Sequence, residues 1–129
     1  MKHEDVTHKI IGCSMEVHRQ LGPGFQEYIY HRAVEKEFRV QEVPFVSEFE
    51  IKIFYKGDQI GLRKVDFLVE KIIPIEIKAV GELTDTHLAQ SKNHLEAGGI
   101  EVGQLINFGC ASLQFKRLIN SKISTTQFP

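Results

Sequence analysis

The sequence predicts an α/β domain in which helices flank one mixed β-sheet, with the elements in the order α-α-β-β-β-α-β-β. Near the N-terminus, apolar residues recur every three or four positions, as they do on one face of a helix. In the middle of the chain they recur every second position, as in half-buried strands. Between two later apolar runs lies a helix-length polar segment, which is typical of a crossover between parallel strands.

Composition and charge place the chain among ordinary globular proteins. The 129 residues are 42% hydrophobic and 26% charged, which suits a single domain over residues 1–129. The formal net charge of -1 gives no global basic field, so a polyanion would need a local site. The polar N-terminus does not resemble a signal peptide and no segment is as long as a membrane span, so we expect a cytoplasmic protein with no membrane partner. Cys13 and Cys110 are expected to be buried free thiols.

A sharp break separates the first two helices. The first helix is expected over about 4–20, and two glycines around Pro23 cannot continue it. A second helix follows over about 25–39, with Glu27 and Tyr30 on the same side of its first turns. Two interpretations remain open here: Glu27 belongs to a functional site with Tyr30 beside it, or Glu27 only stabilises the helix end and Tyr30 only packs.

Three meandering strands are expected next. The first covers 45–55, and a hairpin turn leads to the second over 60–69. After a turn at Glu70-Lys71 the third strand covers 72–80. Pro74 has no backbone donor, so it indicates a strand start, a bulge or a free sheet edge.

The C-terminal part predicts one helix and two strands. Thr84 is a good N-cap for a helix over about 85–97, which two glycines close. The apolar run 102–108 suits a buried strand that pairs in parallel. A last strand over about 113–119 precedes a tail that we expect to be flexible from about Asn120.

The third strand carries two charges among its apolar residues. Glu76 and Lys78 project from one face of it, and burying an isolated charge is very costly, so these side chains need a partner or a use. Asp66 lies on the preceding strand, so two carboxylates and an amine could converge. That set suits a divalent metal beside a lysine that offsets developing negative charge. The alternative is an exposed edge strand with a solvated Glu/Lys face, which Pro74 would favour.

Asp66, followed by Glu76-Ile77-Lys78 and by a helix that bears Gln90, resembles the PD-(D/E)XK nuclease superfamily. The segment 21–30 also contains a Gly-x-x-Glu-x-x-Tyr motif, and therefore resembles the small bacterial family named GxxExxY. The motif residues are Gly24, Glu27 and Tyr30, and Val17-His18 and 105–109 are also similar to that family. The resemblance covers roughly residues 6–119.

The resemblance implies a restriction-endonuclease-like fold and hydrolysis of phosphodiester bonds that depends on Mg2+ or Mn2+. By position, Asp66 and Glu76 would be metal ligands, together with the backbone carbonyl of Ile77 and, as a further candidate, Glu27. Lys78 would orient or activate the attacking water. The implied catalytic residues are thus Glu27, Asp66, Glu76 and Lys78, with Tyr30 and Gln90 in supporting positions.

The sequence departs from the superfamily pattern at three positions. Val65 replaces the usual proline, His94 stands where related nucleases often have tyrosine, and Pro74 lies inside the catalytic strand.

If two carboxylates do cluster, they repel each other, so neutralising one should stabilise the metal-free protein.

The resemblance also implies nucleic acid as the partner, with DNA as the first expectation. A homodimer would bring one site to each strand of a duplex. The alternative is a catalytically silent nuclease-fold module that binds nucleic acid or a protein partner. The near-neutral charge and the short chain favour that alternative, because they leave little surface for gripping a duplex.

Overall fold

The computed structural model describes residues 3–122, which form a five-stranded sheet between two helical layers. The order of the elements confirms the predicted α/β fold. In chain order they are α1 (Glu4–Leu21), α2 (Glu27–Val40), β1 (Phe45–Tyr55), β2 (Asp58–Val69), β3 (Ile73–Lys78), α3 (Asp85–Gly98), β4 (Val102–Asn107) and β5 (Gln114–Ile119). The strands lie in the order β1-β2-β3-β4-β5. Only the β3–β4 pair is parallel among these strands, as the α3 crossover between them predicted.

The sheet separates two apolar clusters of unequal size. The larger lies against α1 and α2, and it includes the odd-numbered isoleucines of β3, namely Ile73, Ile75 and Ile77. The smaller lies against α3 and is built on Leu95, Leu105 and Leu118. Leu105 and Ile106 are neighbours in β4 but belong to different clusters, so β4 is buried on both faces. The face of the sheet that packs against α3 therefore has fewer apolar contacts, and polar side chains can be accommodated there.

Strand β3 is the third of five strands, so the edge-strand interpretation of Glu76 and Lys78 is wrong. Pro74 is the second residue of β3 and pairs with Leu68, whereas pairing with β4 begins one residue later, at Ile75. Of the three expectations for Pro74, the strand start is the one observed. Glu76 is only 8% exposed, so its charge needs partners.

A side chain extends the parallel pairing beyond Lys78. Asn107 Oδ1 accepts the N–H of Val80 at 2.9 Å, and Asn107 Nδ2 donates to the carbonyl of Val80 at 3.0 Å. A Cβ atom at position 109 would lie 2.2 Å from the carbonyl oxygen of Val80, so the close approach requires Gly109. These contacts hold the C-terminal end of β3 against β4.

The last strand is followed by a residue that is tied to the end of α3. Asn120 is buried, and its Nδ2 donates to the carbonyls of Leu95 at 3.2 Å and Ile100 at 2.9 Å. These bonds tie Asn120 to the end of α3, and the flexibility predicted from about residue 120 onward stays a prediction. The remainder of that predicted tail, 123–129, lies outside the described residues.

The two cysteines are free thiols, as expected, but only one is fully buried. Burial, with a smaller contribution from the charge of Glu37, raises the pKa of Cys13 to about 11. Cys110 is partly exposed. None of the helices within residues 3–122 combines the length and the apolar character that a membrane span requires.

Candidate active site

The loop before α2 is built by two of the three motif residues. Gly24 has a φ of 109°, a left-handed conformation that glycine adopts readily. Tyr30 is fully buried, donates its hydroxyl to the carbonyl of Gly22 at 2.5 Å and accepts the N–H of Phe25 at 3.2 Å. Its ring stacks on Phe108 with centroids 4.8 Å apart. Gly24 and Tyr30 thus fix the start of α2, and Glu27 is left exposed as its first residue.

An open cleft of about 390 Å³ lies between α2 and the β1–β2 hairpin. Glu27 and Asp66 both line it, so the structure brings these two predicted catalytic residues to one cavity. Glu76 and Lys78 are not among its lining residues. We predict from the sequence motif that the Glu27 carboxylate lies within direct or one-water reach of Asp66, Glu76 and Lys78, and this stays a prediction. The lining residues are Glu27, Tyr28, His31, Arg32, Glu48, Lys64, Val65 and Asp66.

Asp66 is held at the point where β2 and β3 separate. The backbone pairing of these strands ends at Phe67 and Ile75, and Asp66 is the next residue of β2. Its Oδ2 accepts the N–H of Ile77 at 2.7 Å, so a carboxylate replaces the next backbone partner. Its Oδ1 lies 2.8 Å from Nδ1 of His31. Asp66 therefore sits directly beside the peptide that joins Glu76 to Ile77.

His31 is a site residue that the sequence reasoning missed. Its ring stacks on Phe67 with centroids 4.4 Å apart, and its Nε2 lies 3.0 Å from the hydroxyl of Ser47. A carboxylate only accepts hydrogen bonds, so Nδ1 carries the proton that Asp66 accepts. The spacing of four residues from Glu27 was the available signal, because it puts both side chains on the same face of α2.

Glu76 is paired with Arg63 and His94 on the α3 side of the sheet. Arg63 Nη2 donates to its Oε1 at 3.0 Å, and His94 Nδ1 lies 3.2 Å from its Oε2. Burial alone would raise the pKa of Glu76, but hydrogen bonds from His94 and Ser91 and the charges of His94 and Arg63 outweigh it and lower that pKa below its ordinary 4.5. Glu76 is therefore ionised at neutral pH and already paired.

The side chains of Lys78 and Gln90 are less fully paired than those of Asp66 and Glu76. Lys78 ends β3 and is partly buried, and its backbone carbonyl accepts the N–H of Phe108 at 2.9 Å. Within the described part of the chain, no hydrogen bond or ion pair joins its ammonium group to another side chain. Gln90 is exposed on the surface of α3. The ammonium group of Lys78 is thus available to a ligand.

The donor chemistry fits a hard cation, although no metal site is preformed. Residues 3–122 contain no group of three or more His, Cys, Asp or Glu side chains that could hold a metal ion. Asp66, Glu76 and the carbonyl of Ile77 nevertheless offer the oxygen ligands that Mg2+ prefers. A carboxylate has about four lone-pair positions, so the hydrogen bonds described above leave acceptor capacity on both acids. A cation would compete with Arg63 and His94 for Glu76.

Comparisons with known proteins concern the family and the fold. A family model described as the PD-(D/E)XK nuclease superfamily matches residues 4–118, nearly the whole chain. The chain is similar to a solved structure titled "Crystal structure of SSO0001", with a TM-score of 0.55 and 20% identity over 77% of this chain and 52% of that one. That likeness concerns the fold alone, and this chain spans about half the length of that protein. A search of curated proteins gave no match.

Proposed function

The chain belongs to the PD-(D/E)XK nuclease superfamily, and we propose that it is a metal-dependent nuclease that hydrolyses phosphodiester bonds of nucleic acid, with DNA as the expected substrate. The observation that carries the proposal is the hydrogen bond from the N–H of Ile77 to Asp66. This hydrogen bond puts the carboxylate of Asp66 beside the Glu76-Ile77-Lys78 segment, at the edge of an open cleft. Membership of the narrower GxxExxY family and a cytoplasmic location are parts of the same proposal.

Each predicted site residue receives a role in this proposal. Asp66, Glu76 and the carbonyl of Ile77 would hold Mg2+ or Mn2+, with Glu27 as a further ligand from the cleft. When bound, such an ion polarises the phosphate and lowers the pKa of its water. Lys78 is a compact positive charge that would orient the water and offset charge on the phosphoryl group. Tyr30 holds the loop that presents Glu27, and Gln90 would border the site from α3.

Two positively charged side chains give the cleft a means of binding a strand of nucleic acid. Arg32 on α2 and Lys64 on β2 both line it, from opposite walls. The overall net charge of -1 gives no general attraction to a polyanion, so contacts with phosphates must come from such local groups. We propose that the substrate strand lies along this cleft, with Arg32 and Lys64 contacting its backbone.

Cleavage assays test the enzymatic proposal. Plasmid DNA and labelled DNA and RNA oligonucleotides would be incubated with wild-type protein, with Lys78→Ala and with Lys116→Ala, in Mg2+ and in Mn2+. Removing a group that stabilises transition-state charge costs about 100-fold or more in rate, so we expect that loss for Lys78→Ala. Lys116 is exposed on β5 and serves as the matched control. If the wild type cleaves none of these substrates, the enzymatic proposal is wrong.

A catalytically silent module is the second candidate, and the pairing of Glu76 favours it. Arg63 and His94 already satisfy this carboxylate, so a metal ion gains less from it than from a free one. Calorimetry separates the two candidates. Salt-sensitive DNA binding without any heat of Mg2+ or Mn2+ binding would support the silent module, whereas metal binding would support the nuclease.

A homodimer is the oligomeric state that we propose on DNA, because two sites are needed to cut both strands of a duplex. The β1–β2 hairpin has exposed apolar side chains that could contribute to such an interface: Phe54, Tyr55, Ile60 and Leu62. Sedimentation with and without a duplex tests this assembly, and a monomer in both samples would contradict it.

A further inference from the structure

His31 connects helix α2 to two strands through both nitrogens of its ring. Nδ1 binds Asp66 of β2 at 2.8 Å, and Nε2 contacts the hydroxyl of Ser47 of β1 at 3.0 Å. The side chain of His31 is only 17% exposed although it lines the cleft. A histidine that served only to pack against Phe67 would not need either polar contact.

We propose that His31 is a positioning residue for Asp66, and this inference rests on the nuclease function proposed above. The terminal torsion of an aspartate is broad, so a single donor leaves the carboxylate plane free to turn. Here two donors bind the two different oxygens: His31 binds Oδ1 and the N–H of Ile77 binds Oδ2. Together they fix the plane of the carboxylate beside β3.

The ring of His31 is itself held in place. Phe67 stacks on it with an interplanar angle of 19°, which sets the ring plane. While Nδ1 donates to Asp66, Nε2 contacts the hydroxyl of Ser47, and this second contact sets the rotation of the ring. His31 is therefore a rigid donor, and the orientation of Asp66 is determined by α2 and β1 as well as by its own strand.

The contacts among Ser47, His31 and Asp66 also resemble the catalytic triad of a serine hydrolase. The lining of the cleft argues against a nucleophilic role for Ser47. Among the described residues, those lining the cleft include His31 and Asp66 and do not include Ser47. A nucleophile must face its substrate, so the Ser47 hydroxyl is an anchor for the ring. The action of His31 is therefore exerted through Asp66.

Groups that orient a metal ligand typically change metal affinity or activity by about 10–100-fold when they are replaced. His31→Leu removes the donor to Asp66, whereas His31→Asn keeps an N–H close to the position of Nδ1. We therefore expect His31→Leu to weaken Mn2+ binding by about tenfold or more, and His31→Asn to recover most of the loss. His8→Asn, on the exposed surface of α1, is the matched control.

The experiment combines two readouts on folded proteins of verified melting temperature. Nitrogen-15 NMR of the metal-free wild type should show the His31 proton on Nδ1, and the amide resonance of Ile77 should shift in His31→Leu but stay near wild type in His31→Asn. Mn2+ affinity is then measured by paramagnetic resonance for the same variants.

A proton found only on Nε2 would overturn the proposal, as would an unchanged Ile77 amide in His31→Leu. Wild-type Mn2+ affinity in a folded His31→Leu would also overturn it. If the wild-type protein binds no Mn2+, the proposed metal-dependent function fails, while the Ile77 amide still decides whether His31 positions Asp66.

Discussion

Asp66 and Glu76 lie on neighbouring strands, each one residue beyond the last backbone pair of β2 and β3, yet they are bound from opposite helical layers. Asp66 is held by His31 of α2 and by a backbone N–H, and it lines an open cleft. Glu76, whose side chain is 10% exposed, is held by Arg63 and by His94 of α3. If the proposed function is right, ligands would approach from the Asp66 side, and a metal ion at Glu76 would compete with Arg63 and His94.

The largest effect on stability is expected for Glu76→Gln. The substitution removes the charge that Arg63 and His94 bind, and losing a charged hydrogen-bond partner in a buried place costs about 1–3 kcal/mol. Partial exposure of Arg63 keeps the loss at the lower part of that range. Chemical denaturation without metal measures it, with the exposed Glu82→Gln as control.

This expectation reverses the one drawn from the sequence alone, in which neutralising one of two clustered carboxylates stabilises the metal-free protein. An increase in the stability of Glu76→Gln would show that repulsion between the acids outweighs the contacts with Arg63 and His94.

The dependence of stability on pH in the acid range should depend on the same contacts of Glu76. The pKa of folded Glu76 is lowered below 4.5 by its hydrogen bonds and cationic neighbours, which outweigh the effect of its burial. A lowered folded pKa contributes stability above the unfolded pKa, and this stability is lost as pH falls through the folded value. The difference in unfolding free energy between wild type and Glu76→Gln should therefore be present at pH 5 and shrink as pH falls below about 4.5. A difference that stays constant down to pH 3 would contradict the assignment.

Salt dependence tests from which side the nucleic acid approaches. Each lost phosphate contact lowers the slope of log affinity against log salt by about 0.7–0.9. We expect that change for Arg32→Ala and for Lys64→Ala in fluorescence anisotropy with labelled DNA and a chelator. Lys92→Ala, on the α3 side, should leave the slope unchanged. The opposite pattern would mean that DNA approaches from the layer that holds Glu76.

The smallest effect on stability is expected for Glu27→Gln. A carboxylate in the first turn of an exposed helix contributes about 0.3–1 kcal/mol through the helix dipole. Metal-dependent cleavage should fall by a much larger factor, because Glu27 shares the cleft with Asp66. Asp85→Asn removes the corresponding charge at the start of α3 and should change stability alone. Equal effects of the two substitutions on cleavage would show that Glu27 only stabilises the start of α2.

The fold could be predicted because its signals are local. Alternating apolar residues gave β1 its observed bounds, and the capping residue Thr84 marked the start of α3. The third strand was predicted to extend to 80, but it ends at Lys78, where the side chain of Asn107 continues the pairing. This error involves a side chain that replaces a backbone partner from a distant part of the chain, which periodicity cannot show.

The site was predictable only in part. Asp66 and Glu76 could be placed on adjacent strands because a short turn joins those strands. Their partners could not be found in this way: His31 is 35 residues from Asp66 and resembles an ordinary helix residue in the sequence. Arg63 likewise resembles a solvated strand residue until β2, β3 and α3 are assembled around Glu76.

The unequal burial of the two thiols makes this chain suitable for site-selective labelling. Cys13 is buried and has a pKa of about 11, so at neutral pH it remains a shielded, protonated thiol that reacts slowly. Cys110 is partly exposed, and its Sγ lies 2.8 Å from the carbonyl of Gly81, just beyond the end of β3. A maleimide fluorophore or a nitroxide would therefore attach at Cys110 in the unaltered chain. Its signal would report changes just beyond the C-terminal end of β3.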